Sequence, residues 1–346
     1  MTELLINFQA NELIQILLYG FFGFLMAMGL TPLYTTLAYQ KQWWKKPRKD
    51  AVTGEKAKIY TKLHAQKHYR QIPTMAGIIF VAATFLITVA TNLSRSETWL
   101  PLGAMVGAAV VGFVDDLINI GSGGRGVAGM RARIKSLLLL MVAAIGGWWF
   151  YAKLGVHTID IPLFGLLSVG WLIIPLFIFV VYATANAVNI SDGLDGLAGG
   201  LSVNAFAAYG LICLTQGRLG LAGFCFTVVG ALLSYTWFNI YPARFFMGDI
   251  GSFALGTALA VVALITNTVF ILPIIGGMFV VEAGSSLLQI TSKKLRGGRK
   301  IFKIAPIHHH FEASGWPETK VTMRFWILSQ VLAVLGLIVY FIGLGR

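Results

Sequence analysis

The chain has 346 residues, of which 57% are hydrophobic and only 12% charged, and it carries a formal net charge of +13. That composition excludes a soluble globular protein and predicts an all-α, polytopic membrane protein. A disulfide scaffold is also excluded, because Cys213 and Cys225 both fall inside apolar runs and read as small buried residues.

Taken in chain order, apolar stretches of spanning length fall near 14–38, 73–92, 99–115, 134–153, 168–188, 197–215, 219–239, 250–267, 269–290 and 322–343. Each suits roughly 30 Å of hydrocarbon, so about ten transmembrane helices are predicted. The polar start from Met1 to Asn11 lacks a basic region or a cleavage site, so the first span is expected to be retained. The segment 40–72, with Trp43, Trp44 and a run of Lys and Arg, suits either an interfacial stretch against anionic lipid or a topology anchor. Gly121-Ser-Gly-Gly-Arg-Gly126 follows no strand and reads as a flexible connection rather than a nucleotide cradle. With no internal repeat or separate soluble unit, residues 1–346 form one membrane domain.

Lys and Arg are retained on the cytoplasmic side during insertion. With both termini outside, the segments 40–72, 115–135, 239–250 and 291–324 become cytoplasmic and hold 10, 4, 1 and 8 basic residues, 23 of the 27. This bias accounts for the net charge without invoking nucleic acid, and it would draw a polyanionic substrate to that face. The same parity brings Asp115, Asp116, Asp192, Asp195, Asp249 and His308, His309 and His310 to the cytoplasmic ends of their spans.

Carboxylates at a wet membrane face suit a hard cation such as Mg²⁺, which completes its shell with water and substrate phosphates. A diphosphate substrate follows. Adjacent helical residues point about 100° apart, so Asp115 and Asp116 are expected to differ in role. Asp192 and Asp195, spaced i, i+3, would share a face if the next span begins there, and the glycines around them permit a tight turn with free backbone N–H groups. Three consecutive histidines seldom reach one tetrahedral centre together; they are expected instead as hydrogen-bond donors or proton carriers beside a phosphate. Glu282, inside the ninth apolar run, marks either a proton path or a partnered structural carboxylate.

Several longer motifs resemble one family. Asn186-Ala-Val-Asn-Ile-Ser-Asp-Gly-Leu-Asp-Gly-Leu197, Trp237-Phe-Asn-Ile-Tyr-Pro-Ala243, Phe246-Met-Gly-Asp-Ile-Gly-Ser252 and Ala305-Pro-Ile-His-His-His-Phe-Glu312 are similar to the motifs of bacterial phospho-N-acetylmuramoyl-pentapeptide transferases, within the polyprenyl-phosphate N-acetylhexosamine-1-phosphate transferase superfamily. Val111 to Asp116, Gly129 to Lys135, Lys294 to Gly297 and Gly315 to Glu318 extend the resemblance from Pro73 to the C-terminus. It implies a ten-span, Mg²⁺-dependent enzyme, often a homodimer, in the bacterial plasma membrane with a cytoplasmic active site. Such an enzyme moves phospho-N-acetylmuramoyl-pentapeptide from UDP to undecaprenyl phosphate, giving lipid I and UMP for peptidoglycan synthesis.

By motif position, the resemblance implies that Asp249 binds Mg²⁺ with Asp115 and Asp116 beside it. Lys135, Asn189, Asp192, Asp195, Asn239 and Phe246 would line the nucleotide and diphosphate pocket, with Phe246 as a uracil stacking face, and His308, His309 and His310 would lie near the sugar phosphate. The pattern is departed from at Ala76, where the family has glycine, and at Asn119, where it has a basic residue; that part of the clamp is either missing or supplied by Arg125, and Lys67 and Arg70 are the nearby candidates for the lysine expected before Pro73. Two rivals stay open: a sister transferase for N-acetylglucosamine-1-phosphate, against which the Pro-Ile-His-His-His-Phe-Glu segment argues, and a transporter or lipid-binding scaffold, which would place charges at the bilayer midplane.

Overall fold

The computed structural model describes residues 10–44, 71–121, 129–162 and 164–344. Lys67, Arg70 and Arg125, and most of the basic segment 40–72, lie outside them. The described chain is helical almost throughout. α1 (Ala10–Gln40), α2 (Gly77–Thr91), α3 (Trp99–Gly121) and α4 (Ala132–Ala152) are followed by a short antiparallel hairpin, β1 (Thr158–Ile161) and β2 (Gly165–Ser168). Then come α5 (Ile173–Ser191), α6 (Leu197–Thr215), α7 (Leu219–Asn239), α8 (Gly248–Ile265), the single turn α9 (Leu272–Ile275), α10 (Gly277–Leu295), the short α11 (Ile307–Glu312) and α12 (Glu318–Leu344).

Among the described residues, eight helices are long and apolar enough to cross a membrane, as an all-α polytopic protein requires. The two expected spans outside that set differ in kind. α2 has only 15 residues, while the run 269–290 is divided. Pro273 lies in the first turn of α9, and Gly276 and Gly277 separate that turn from α10, where Pro and Gly are poor helix-interior residues. The expected start of the fifth span at 168 is also late in practice, because residues 165–168 are strand and Gly170–Leu172 form a 3₁₀ turn.

α8 is almost wholly buried at the centre, whereas α1, α4 and α12 bury one side only and turn leucine, isoleucine and phenylalanine outward. Lipid tails are as apolar as a protein core, so the centre must be held by close packing and not by exclusion from water. Small residues supply that packing. A side chain at Gly112 of α3 would overlap the backbone of Asp249 and Ile250 in α8, one at Gly77 of α2 would meet Gly251, and one at Gly256 would meet Thr184 and Ala185 of α5. α8 is therefore seated backbone to backbone against three neighbours.

Replacing Gly112 with valine should lower the thermal unfolding midpoint of the detergent-purified protein by several degrees, for a cost of about 1–3 kcal/mol or more. Gly103 lies on the same helix, where an added Cβ would meet nothing within 4 Å, so Gly103→Ala should leave the midpoint unchanged or raise it. Equal midpoints for the two variants would refute the close-packing account.

Candidate active site

Four helix ends meet at one place. α3 brings Asp115 and Asp116 near its C-terminal end, 2% and 0% exposed. α4 brings Lys135 in its first turn, α5 brings Asn189 in its last, and α8 brings Asp249 in its first. Gly248 adopts φ +71°, a conformation that suits glycine, and so turns the chain into α8 with Asp249 at the positive end of the helix dipole.

Lys135 ties the carboxylates together. Its Nζ lies 3.0 Å from Asp115 Oδ2 and 2.7 Å from Asp249 Oδ2, and 5.5 Å from the centre of the Phe253 ring. Asp115 Oδ1 also accepts the Met130 N–H at 2.6 Å. On the other side of Asp249, Asn189 Nδ2 donates to Oδ1 at 3.1 Å and lies 2.8 Å from Ser252 Oγ. Asp116 points elsewhere: its Oδ2 accepts the Ile250 N–H at 3.3 Å and satisfies a backbone donor at the start of α8. The two adjacent aspartates thus divide as their angular separation requires, one to the lysine and one to the helix end.

Asp249 and Asp115 are hard oxygen donors bracketing a single cationic point, and two protein carboxylates with substrate phosphates are the usual complement for Mg²⁺. Their chemistry fits that ion. Among the described residues, no group of three His, Cys, Asp or Glu is placed to hold a metal by itself, so remaining ligands would come from substrate and water.

The Asn-Ile-Ser-Asp-Gly-Leu-Asp-Gly turn between α5 and α6 forms the next wall. Asp192 is half-buried there. Asp195 is 2% exposed: its Oδ2 accepts the Ala243 N–H at 3.0 Å, its own N–H donates to Glu318 Oε1 at 2.7 Å, and its carbonyl accepts from Thr322. Asn239 accepts the Gly196 N–H at 3.0 Å and donates to the Phe245 carbonyl at 2.8 Å. Both side chains thus stitch this turn to the 240–246 loop. Phe246 is held by its backbone, donating to the Pro73 carbonyl and accepting from the Ala76 N–H, which leaves its ring half-buried.

The histidines take three different partners, so they form no common metal centre. His308 Nδ1 lies 2.8 Å from Glu282 Oε2, His309 Nδ1 lies 2.7 Å from Glu312 Oε2, and His310 Nδ1 accepts the Lys303 N–H at 3.1 Å. Glu282 is accordingly a partnered carboxylate. His308 abuts Gly193, which connects the triplet to the acidic turn and, through α5, to Asn189 and Asp249. Sequence reasoning does not single out Ser252, Glu318 or the Met130 N–H. Ser252 and Glu318 do close the motifs Phe246–Ser252 and Gly315–Glu318, and that position is the signal that could have found them.

These features define a polytopic membrane transferase. In agreement, the profile of glycosyl transferase family 4 matches residues 98–267. The phospho-N-acetylmuramoyl-pentapeptide-transferase of Chloroflexus aurantiacus is 42% identical over 278 residues, covering 77% of this chain and 76% of the relative. Enzymes of the same name from Syntrophus aciditrophicus and Thermodesulfovibrio yellowstonii are 40% and 39% identical over 286 and 287 residues, each covering 77% of this chain and 79% of the relative. The chain belongs to the phospho-N-acetylmuramoyl-pentapeptide-transferase family.

Lys135→Met should leave Asp115 and Asp249 facing each other without their shared cation, at a cost of ~1–3 kcal/mol for a partly exposed cluster. The thermal midpoint measured in EDTA should fall, and adding Asp249→Asn in the same chain should restore part of it. No recovery in the double variant would mean that the lysine acts on stability through something other than these charges.

Proposed function

We propose that this chain transfers phospho-N-acetylmuramoyl-pentapeptide from UDP to undecaprenyl phosphate, releasing UMP and forming lipid I, on the cytoplasmic face of a bacterial plasma membrane with both termini outside. The observation that carries this reading is the Asp115–Lys135–Asp249–Asn189 cluster at four converging helix ends, in a chain this similar to transferases bearing that name. A homodimer in the bilayer belongs to the same proposal, as in the family.

The chemistry asks for alignment and charge neutralisation more than for a strong base. A phosphate monoester has a second pKa near 6 and is largely ionised at neutral pH. An oxygen of the lipid phosphate attacks the sugar-linked phosphorus of the donor diphosphate, a new P–O bond forms, and the bond to the UMP oxygen breaks with its electron pair leaving on UMP. Mg²⁺ held by Asp249 and Asp115 would neutralise diphosphate charge. Lys135, freed from part of its contact with these carboxylates, pairs with phosphate oxygens, while Asn189 keeps Asp249 in its rotamer. Asp115 or Asp116 takes any proton left on the acceptor. Because Asp116 is bonded to the α8 backbone and Asp115 to Lys135 and Met130, direct attack by the lipid phosphate is preferred to a covalent aspartyl-phosphate. The half-buried Phe246 ring offers a stacking face for uracil, with Asp192 beside the nucleotide and His309 and His310 near the sugar phosphate.

Purified protein in detergent with Mg²⁺, undecaprenyl phosphate and UDP-N-acetylmuramoyl-pentapeptide should release UMP, and Asp249→Ala should reduce the rate by at least about 10²-fold. Turnover of UDP-N-acetylglucosamine instead would move the chain to the sister transferases. No UMP from either donor, in folded protein, would end the enzyme reading.

A further inference from the structure

Beyond the buried Met278 and Phe279 of its first turn, the inner face of α10 is polar. Glu282, Ser285, Gln289 and Ser292 are all buried and recur at helical spacing, so they form one stripe. That stripe binds the returning loop rung by rung. Ser292 Oγ donates to the Arg299 carbonyl at 2.9 Å, Gln289 Oε1 accepts the Ile301 and Phe302 N–H groups at 3.0 and 3.1 Å, and Ser285 Oγ accepts the Ile307 N–H at 2.9 Å. The last rung is of another kind: Glu282 Oε2 meets His308 Nδ1 at 2.8 Å, and both side chains are 0% exposed.

Loop anchoring does not call for a carboxylate there, since an uncharged side chain could hold the loop end as Ser285 and Gln289 do, at far lower desolvation cost. The opposite edge of the His308 ring is equally constrained. A side chain at Gly193 would collide with Nε2, so that edge is pressed against the turn between Asp192 and Asp195. One nitrogen therefore faces a carboxylate and the other faces the wall of the active site.

We propose that Glu282 is a positioning residue whose hydrogen bond to His308 Nδ1 fixes the imidazole's tautomer and rotamer, and with them the seating of Nε2 against the Gly193 turn that sets where Asp192 and Asp195 stand for the donor diphosphate. The shared hydrogen bond admits one proton on that edge of the ring and holds the imidazole in one orientation, as hydrogen-bond partners do for histidines elsewhere. This inference rests on the transferase reading.

The test is steady-state UMP release by wild type, Glu282→Gln, His308→Ala and the double variant, with thermal midpoints measured alongside. Glu282→Gln is expected to lower kcat about 10–100-fold, the usual range for loss of a histidine-orienting partner, with KM for the UDP donor and the midpoint close to wild type. The double variant should be no slower than His308→Ala alone, since the two residues act as a unit. If Glu282→Gln does not fold, Glu282→Met, which removes the charge and keeps volume, should fold and show the same loss of kcat. Undiminished kcat in any folded Glu282 variant, or losses that multiply in the double variant, would overturn the positioning role. Wild type that releases no UMP would overturn the transferase reading itself, a result distinct from either.

Discussion

The site depends first on how closely α8 can approach α3. Asp249 and the Asp115–Asp116 pair lie more than a hundred positions apart in the chain, and what joins them is the absence of a side chain at Gly112, which lets two helix backbones touch at the level of the carboxylates. In hydrocarbon, small residues are the means of bringing helices together, because there is no water to expel from between them. Gly77 and Gly256 repeat the device on two other sides of α8. The central helix is thereby fixed in rotation as well as position, and Asp249 cannot turn away from Lys135 without unseating it.

That closeness creates an electrostatic problem that the same elements solve. Asp115 is buried and Asp249 partly so, and two carboxylates near one point repel strongly where water is scarce. Lys135 supplies one cation between them, Met130 and Asn189 supply hydrogen bonds, and the start of α8 supplies a backbone donor to Asp116. The cluster is held together without ligand, and its single positive charge is placed where a diphosphate and a divalent cation would each compete for a partner. A site of this kind is preorganised in its carboxylates, which are already held in place, and the rearrangement on binding would fall on Lys135 as it exchanges carboxylate for phosphate.

The spans are legible in the sequence because hydrophobic runs of that length have few other uses, and the helices fall close to the predicted limits. Where the two differ, the cause is local. Hydropathy does not distinguish an apolar helix from an apolar strand, so the end of the β-hairpin at Ser168 reads as the start of a span, and an apolar average across 269–290 hides the break made by Pro273, Gly276 and Gly277. The charge bias predicts that the acidic clusters lie at the same ends of their spans, and the structure does bring Asp115 and Asp249 together. Their individual partners are not legible, since Lys135 and Asp249 or Asp195 and Ala243 meet only through tertiary packing; spacing within one segment carries no trace of such pairs. Lys135 enters as a site residue through family resemblance, and its bridging position becomes visible only in three dimensions.

The histidine triplet shows how far sequence adjacency misleads about joint action. His308, His309 and His310 follow one another on a helix of a single turn and a half, so their rings leave in directions about 100° apart and find Glu282 on α10, Glu312 on α11 and the Lys303 backbone respectively. Two of the three are thereby paired with carboxylates and one with a neutral N–H. His308 is pressed against the acidic turn that leads through α5 to Asn189 and Asp249, with the His309 ring packed on it at 4.1 Å between centroids. The run of identical residues is therefore three groups with three different partners, and the one that abuts the acidic turn, His308, is the one paired with a carboxylate from another helix.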